Sequence, residues 1–412
     1  MKNARQGKLI QSELTAGYQT MNRYDDREAE MHYLNVGILG CGVISRTYAG
    51  DIARFFPQLR IAACADLTSD LAKKLAEEFG IPKVYETGEM LRDPEIDIVI
   101  NLTPPQAHTE LNRKIIEAGK HLFCEKPFAH TPEEAQELLD LADRKGVQAG
   151  SAPDTFLSSG LQSVRYYLDA GLIGKPFFIT ANMTTFGVET WHPNPRSFYA
   201  KGSGPQYDMA PYYLAALISL AGPIERIAAF SARPSETRRV YVGELAGTEI
   251  PAEVDTHYSA VMRMRSGVIV NLNVSYDIYR SNLPMFEIFG DGGTLSYPDP
   301  NFGGGAPKVY RKEQFIDPVY RDTEEARQRK ETFYELPELF PRPKDYSRGI
   351  GVADLAHAIE TGGINRTRGM IVHVIEAITG LMKAAETGAV YEMKSTCERP
   401  EPMKAGAALG EF

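Results

Sequence analysis

"VGILGCGVIS", residues 36–45, carries an apolar strand pattern straight into Gly40-Cys41-Gly42 and then into a helix-like segment. Glycines on either side of a single residue permit a tight turn and a close backbone approach, and the helix start behind them favours negative charge. The arrangement suits the pyrophosphate of a dinucleotide. Ser45 stands at the third position of the fingerprint, where glycine or alanine is usual, a departure small enough to fit. Asp66 ends the next strand candidate, 24 residues beyond Gly42. An acid there hydrogen-bonds the ribose diol of an adenosine, and it also reads as a cap on the following turn. The carboxylate would repel a 2′-phosphate and no basic residue adjoins it, which favours NAD over NADP. The expected cofactor loop is therefore Gly40, Cys41, Gly42, Val43 and Ile44, with Asp66 at the ribose.

Outward from this loop, short apolar runs alternate with helical segments from Tyr33 to about residue 155. The strand candidates are "YLNVGIL", "LRIAACA", "IDIVINL", "KHLFCE" and "VQAGSA". One helix candidate opens on Thr131 as N-cap, with Pro132 at its first position. Alternation with nearly continuous apolar strands predicts a parallel sheet covered on both faces. Beyond 155 the pattern loosens. Residues 253–297 read as antiparallel hairpins, one turning at Ser266-Gly267 with Val268, Val270, Leu272 and Val274 on one face, another at Asp291-Gly292-Gly293. Helices are expected near 350–362 and 368–387. The chain thus divides into a dinucleotide-binding α/β domain over 31–155 and an α+β domain over 156–394 with an open, mainly antiparallel sheet. An arm or extension over 1–30 and a loose tail over 395–412 flank them.

A chain of 412 residues suits two domains, and 43% hydrophobic with 24% charged residues is ordinary for a soluble globular protein. Lys and Arg number 45 against 54 Asp and Glu, a net charge of −9 that argues against nucleic acid or an anionic membrane as the main partner. Cys41, Cys64, Cys124 and Cys397 have neither disulfide nor zinc spacing and read as free thiols in a reducing compartment. His192 and His257 lack partners at ligand spacing, so no metal site is expected. No apolar run reaches the ~18 residues of a membrane span, and the first residues lack a signal-type hydrophobic region. A cytoplasmic protein is the expectation.

Two further stretches carry chemistry: "TPPQAH" at 103–108 and "AGKHLFCEKPFAHTPEEA" at 118–135. With them the sequence resembles the glucose–fructose oxidoreductase/inositol dehydrogenase (Gfo/Idh/MocA) family from about Tyr33 to residue 390. The "E-K-P" tripeptide is the specific part of the match; the glycine loop is not. The resemblance implies a Rossmann domain whose cofactor channel is lined by Thr103, Pro104 and His108, with Pro105 where Asn is common. It implies that Glu125 lies near the nicotinamide ribose and Lys126 beside the carbon that exchanges hydride. The family's D-x-G-x-H motif aligns with Asp208-Met209-Ala210-Pro211-Tyr212, with Ala210 for Gly and Tyr212 for His. The region is similar to a branch carrying "WHPNP", here Trp191 to Pro195.

Oxidising a carbinol requires a hydride acceptor and a destination for the hydroxyl proton. Lys126 can stabilise the developing alkoxide, with Asp208 holding its ammonium. Tyr212 either ionises with help from Lys126, against a free phenol pKa of ~10, or stays neutral and donates a hydrogen bond while Lys126 or His192 moves the proton. Trp191 can stack on the apolar face of a sugar, with His192 and Asn194 in the same loop. Asp154, in "SAPDTF", falls at the domain junction as a substrate contact or a turn former. Taken alone, Lys126 also reads as a surface lysine, Tyr212 as core packing, Trp191 as a loop anchor and Asp208 as a helix cap before Pro211. Arg348 and His257 read as structural.

The resulting expectation is an NAD-dependent oxidation of a secondary hydroxyl on a sugar, glycoside or cyclic polyol, by a homodimer or homotetramer joined through the open sheet. The alternatives are a lyase or deglycosylating enzyme that recycles NAD through a transient keto-sugar, and a non-catalytic NAD-binding sensor.

Overall fold

The apolar runs of the first half become six parallel strands: β1 Leu34–Leu39, β2 Leu59–Ala65, β3 Lys83–Tyr85, β4 Ile98–Asn101, β5 His121–Cys124 and β6 Ala149–Ser151. They lie in the order β3-β2-β1-β4-β5-β6 in a computed structural model that describes residues 33–303, 305–316, 328, 332–340 and 348–404. Strand β4 is buried along its whole length, as a central parallel strand covered on both faces must be. The covering helices include α1 Val43–Phe55, α2 Ser69–Phe79, α3 Thr87–Arg92, α4 His108–Glu117 and α5 Pro132–Lys145. Thr131 caps α5 through a bond from the Glu134 N–H to its hydroxyl at 3.1 Å. Strand β3 was not among the expected runs, since three residues are too few to show a period. The strand order reverses between β1 and β4, and the carboxyl ends of strands at such a point open a crevice for a ligand.

Helix α6, Ser159–Asp169, leads into the second sheet. Its strands follow the order β16 (Tyr334–Glu335), β15 (Lys308–Arg311), β14 (Gly293–Tyr297), β13 (Phe286–Gly290), β7 (Pro176–Thr184), β12 (Ile269–Ser275), β11 (His257–Met264), β8 (Ile224–Ala232) and β17 (Tyr391–Glu392), while β9 (Thr237–Arg239) and β10 (Glu249–Pro251) pair separately. All pairings are antiparallel except β12 with β7. Alternation sends Ile179, Ala181, Met183, Val270, Leu272 and Val274 to the inner face, where all are buried. Short helices α7 Arg196–Tyr199 and α8 Pro205–Asp208 precede α9, Ala210–Ala221, which is buried on every side. Two later helices, α10 Ile350–Thr361 and α11 Ile371–Thr387, pack back on the N-terminal domain, so that one face of its sheet shares a core with the second domain while the other face keeps a separate core. The opposite face of the sheet is mixed. A hydrogen-bonded row runs from Ser259 to Asn273 to Asn182, beside exposed Val261 and Ile269.

The stretch expected as a loose tail is docked through residue 404. Arg399 Nε donates to the Ser219 carbonyl at 2.9 Å, and buried Met403 gives its N–H to Gln162 Oε1 at 2.8 Å. Those anchors are single residues without periodicity, which is why the pattern did not reveal them. The expected arm over 1–30 and residues 405–412 lie outside the described residues. Cys41, Cys64 and Cys124 are buried free thiols, and Cys397 is half-buried. Among the described residues no helix is long and apolar enough to cross a membrane.

One buried histidine gives stability a defined pH dependence. His373 on α11 is 1% exposed; its Nε2 accepts the Ile224 N–H at 2.9 Å and its Nδ1 meets Ser395 Oγ at 2.9 Å. Burial pushes its pKa down to about 4. In the unfolded chain the ring titrates near ~6.5, so between these values the unfolded state binds the extra proton. Stability is therefore complete above pH ~6.5 and falls as pH drops toward 4, by about 3 kcal/mol in all. Thermal-unfolding midpoints of wild type and His373→Gln across this range are expected to converge as pH falls. Parallel curves would assign the slope to other groups.

Candidate active site

The crevice begins where β1 meets α1. Gly40 has φ +93, and a Cβ there would lie 2.7 Å from the Leu102 and Thr103 backbone, so only glycine lets β1 pass beneath the β4 loop. A Cβ on Gly42, the N-cap of α1, would meet nothing within 4 Å. Open space thus lies before the helix N-terminus, where the N–H groups of the first turn have no intrahelical partner. Val43 is exposed and Ile44 half-buried in that turn, whereas Cys41 is buried and offers only its backbone. Ser45 fills the third fingerprint position by turning its hydroxyl back to the Gly42 carbonyl, at 2.6 Å. Asp66 Oδ2 accepts the Cys41 N–H at 2.8 Å and Oδ1 accepts the Thr68 N–H at 2.7 Å. Its two readings coexist: it braces the turn and holds a carboxylate beside the glycine loop. Open space, orphan donors and a placed acid fit a dinucleotide.

On the opposite side Thr103 is tied to Asn101 Oδ1 through both its N–H and its hydroxyl, with Pro104 exposed beside it. His108 departs from its expected place in the channel lining. It is 1% exposed, and its two ring nitrogens lie 2.7 Å from the carbonyls of Thr103 and Pro127. The ring lies beneath the two loops, its single N–H donating to one of the two carbonyls. Burial holds its pKa below the usual histidine range despite those carbonyls. Glu125 is also turned inward: its carboxylate accepts the Tyr48 hydroxyl at 2.9 Å and the Lys126 N–H at 3.1 Å.

Lys126, from the loop after β5, meets Asp208, from the end of α8. Nζ donates to Asp208 Oδ1 at 2.9 Å and to the Asp208 carbonyl at 2.7 Å. Asp208 Oδ2 accepts the Tyr276 hydroxyl at 2.5 Å. Burial pushes the lysine toward its neutral form, but the charges of Asp208 and Glu125 and the hydrogen bond to Asp208 outweigh it and raise its pKa above the ordinary value. Burial likewise pushes Asp208 up, and Lys126 with Tyr276 brings it below the carboxylate range. Both partners are charged at rest, with side-chain exposures of 16% and 24%. The capping role expected for Asp208 is absent. Helix α9 has Met209 as N-cap with no side-chain cap bond, because both carboxylate oxygens of Asp208 face Lys126 and Tyr276.

Tyr212 occupies the first turn of α9 and is 6% exposed. Lys126 Nζ lies 5.4 Å and Arg348 Cζ 5.3 Å from its ring centroid, and Arg348 Nη2 donates to its hydroxyl at 3.0 Å. Burial pushes the phenol up by more than these two cations pull it down. The ionised tyrosine considered from sequence is therefore disfavoured, and the neutral donor form remains. His192 packs edge-on against Trp191 and Phe198, with ring centroids 5.5 and 5.0 Å away. Its Nδ1 accepts the Asn194 N–H at 3.2 Å, so the neutral ring carries its proton on Nε2 and presents a donor. Trp191 is 63% exposed and Asn194 exposed. Buried Arg238 braces this loop by bonding Glu189 at 2.9 Å and the Tyr276 carbonyl at 2.7 Å.

Asp154 does not reach the cleft. It is 1% exposed and accepts the Gly351 N–H at 2.8 Å, and burial raises its pKa. A group so enclosed is a domain-junction residue and not a substrate contact. Two members of the site were missed or undervalued. Tyr276 extends the inward alternation of Val270, Leu272 and Val274 by one step, a signal present in the sequence. Arg348 lies 136 residues beyond Tyr212, and no local pattern links them. Among the described residues no group of three or more His, Cys, Asp or Glu could hold a metal ion.

This arrangement can be set beside known proteins. Residues 34–152 match the oxidoreductase family with an NAD-binding Rossmann fold, and residues 161–296 match the GFO/IDH/MocA C-terminal domain. The chain is 26% identical over 292 residues to levoglucosan dehydrogenase of Pseudarthrobacter phenanthrenivorans, covering 65% of this chain and 74% of that protein. It is 28% identical over 197 residues to scyllo-inositol 2-dehydrogenase (NAD(+)) of Bacillus subtilis, spanning 46% of this chain and little more than half, 56%, of that relative. A solved levoglucosan dehydrogenase in complex with NADH and levoglucosan superposes with a TM-score of 0.70 at 21% identity, covering 88% of this chain and all of the other, which shows the fold. The chain belongs to the Gfo/Idh/MocA oxidoreductase family, and its N-terminal Rossmann domain binds NAD.

Proposed function

We propose that the protein oxidises a secondary hydroxyl of a sugar, glycoside or cyclic polyol. The observation that carries this reading is the charged Lys126–Asp208 pair beside a neutral Tyr212, next to the nucleotide crevice. NAD, when bound, supplies the hydride acceptor. The amides around Gly42 to Ile44 would hold its pyrophosphate and Asp66 its adenosine ribose, with Thr103 and Pro104 along the channel and Glu125 beneath. An ammonium has three N–H groups, and Lys126 gives two to Asp208, which leaves one for the substrate oxygen. Tyr212 donates to the same oxygen. As the carbinol carbon loses hydride its hydroxyl turns strongly acidic; Lys126, having ceded one proton to Asp208 and turned its freed lone pair to the substrate, takes the hydroxyl proton, so the ammonium is restored and the proton on partly exposed Asp208 leaves to water. His192 offers its Nε2–H, with Trp191 as a stacking face and Asn194 beside it, to the substrate's other hydroxyls. The exposed apolar residues of the open sheet would be covered in a homodimer or homotetramer.

The names of the relatives, a levoglucosan and an inositol dehydrogenase, support a carbohydrate or polyol substrate. The test is NADH absorbance during incubation of the protein and NAD with a panel of sugars, glycosides and cyclic polyols. Accumulating NADH is the expected result. Substrate conversion without net NADH would replace this reading with the NAD-recycling lyase. Tight NAD binding without any conversion would leave the sensor.

A further inference from the structure

Arg348 is among the largest side chains that the fold buries completely, at 1% exposure. A guanidinium stays charged at any working pH, and enclosing that charge is expensive unless its contacts repay it. The chain around it is shaped to deliver it. Gly349 has φ +96, and a Cβ there would stand 3.0 Å from Ile52 of α1. A Cβ on Gly351 would run into Phe123 and Asp154 at 2.6 and 2.7 Å, and its N–H is the one that Asp154 accepts. The Arg348 N–H donates to Asp51 Oδ2, also on α1, at 2.8 Å. The backbone of 348–351 is thus held by the N-terminal domain, while the guanidinium reaches Tyr212 of the second domain.

Its contact there has a directional consequence. A phenol oxygen has an acceptor side and a single O–H. The Arg348 N–H takes the first at 3.0 Å, so the phenol proton points away from the buried guanidinium. The cation beside the ring at 5.3 Å holds the ring as well as the hydroxyl. We propose that Arg348 is a positioning residue for the reaction. It holds Tyr212 as a donor aimed at the substrate oxygen, and ties that orientation to the seating of the N-terminal domain on the second. The proposal rests on Tyr212 donating to the substrate.

A double-mutant comparison of Arg348→Met, Tyr212→Phe and the pair tests it, with kcat, KM and NADH binding measured for each. Tyr212→Phe is expected to lower kcat about 10- to 100-fold. Arg348→Met should fall in that range while KM and NADH affinity stay within about 3-fold, and the double variant should lie within about 3-fold of Tyr212→Phe alone, because the guanidinium acts through a hydroxyl already removed. Arg348→Lys, which keeps a charge and a donor without the planar fork, should recover part of the loss. Multiplying losses in the double variant, or equal damage to NADH binding, would make Arg348 purely structural and overturn the proposal. If Arg348→Met does not fold, Arg348→Lys carries the test: its deficit must vanish in the Tyr212→Phe background. Full activity in Tyr212→Phe would instead refute the Tyr212 reading itself.

Discussion

Lys126→Ala is expected to remove hydride transfer and spare the cofactor. Its ammonium keeps one N–H free of Asp208 to meet the oxygen as charge develops, and electrostatic stabilisation of that kind is worth about 10²- to 10³-fold in kcat. Loss of the proton route adds to this, so a total fall of about 10³-fold or more is expected. The cofactor loop lies on a different part of the crevice, anchored by Gly40, Ser45 and Asp66, and none of its bonds passes through Lys126. NADH affinity, followed by nicotinamide fluorescence, should therefore remain near wild type. A variant that loses NADH binding in proportion to activity would place Lys126 in the cofactor site alone, and one that retains turnover would exclude it from the chemistry.

Asp208→Asn should produce a different signature, a change in pH dependence as well as rate. In the wild type burial acts to neutralise Lys126, and the first charge that opposes it is Asp208. Asparagine keeps the shape and one acceptor but removes the counter-charge, so burial prevails and the Lys126 pKa falls. The direction follows directly: the ammonium survives at low pH and is lost as pH rises through the new, lower pKa. The kcat/KM profile of Asp208→Asn should decline on its alkaline side at a pH where the wild type still holds. Near neutrality the loss is expected to be about 10²-fold, because asparagine cannot take the proton that Lys126 relays. A profile parallel to wild type would show that Asp208 does not govern the lysine's charge.

The fold was legible from the chain to an unusual depth in its first half, because parallel strands covered on both faces leave long apolar runs and the glycine loop has local causes. Gly40 needs its positive φ and Asp66 sits one strand away, so both announce themselves in the sequence. The second domain was legible where hairpins alternate cleanly, as in β11 and β12. The docked segment to residue 404 was not, since isolated anchors such as Met403 and Arg399 have no period. The site was legible in part. Lys126 and Asp208 were identifiable as a pair through the resemblance, whereas Tyr276 on the other carboxylate oxygen was not, and His108 and Asp154 looked accessible because burial is not written in a local motif. Tyr212 was visible as a substitution for histidine; which protonation state it holds depended on how much water and charge the surrounding elements leave it.

The sequence by itself determined that a strand ends in a dinucleotide loop, that an acid follows at ribose distance, and that a lysine and an acid belong to one chemistry. The first two rest on neighbours within a few residues or on one repeat of strand and helix; the third rests on the family resemblance, since Lys126 and Asp208 lie 82 residues apart. Tertiary structure alone decided that Asp208 is clamped between Lys126 and Tyr276, that Asp154 and His108 are sealed away, and that Arg348 reaches Tyr212 across 136 residues. The physical reason is burial. Which charge survives, and which hydrogen-bond direction is left open, is set by groups from several distant segments that only the folded chain brings within 3 Å.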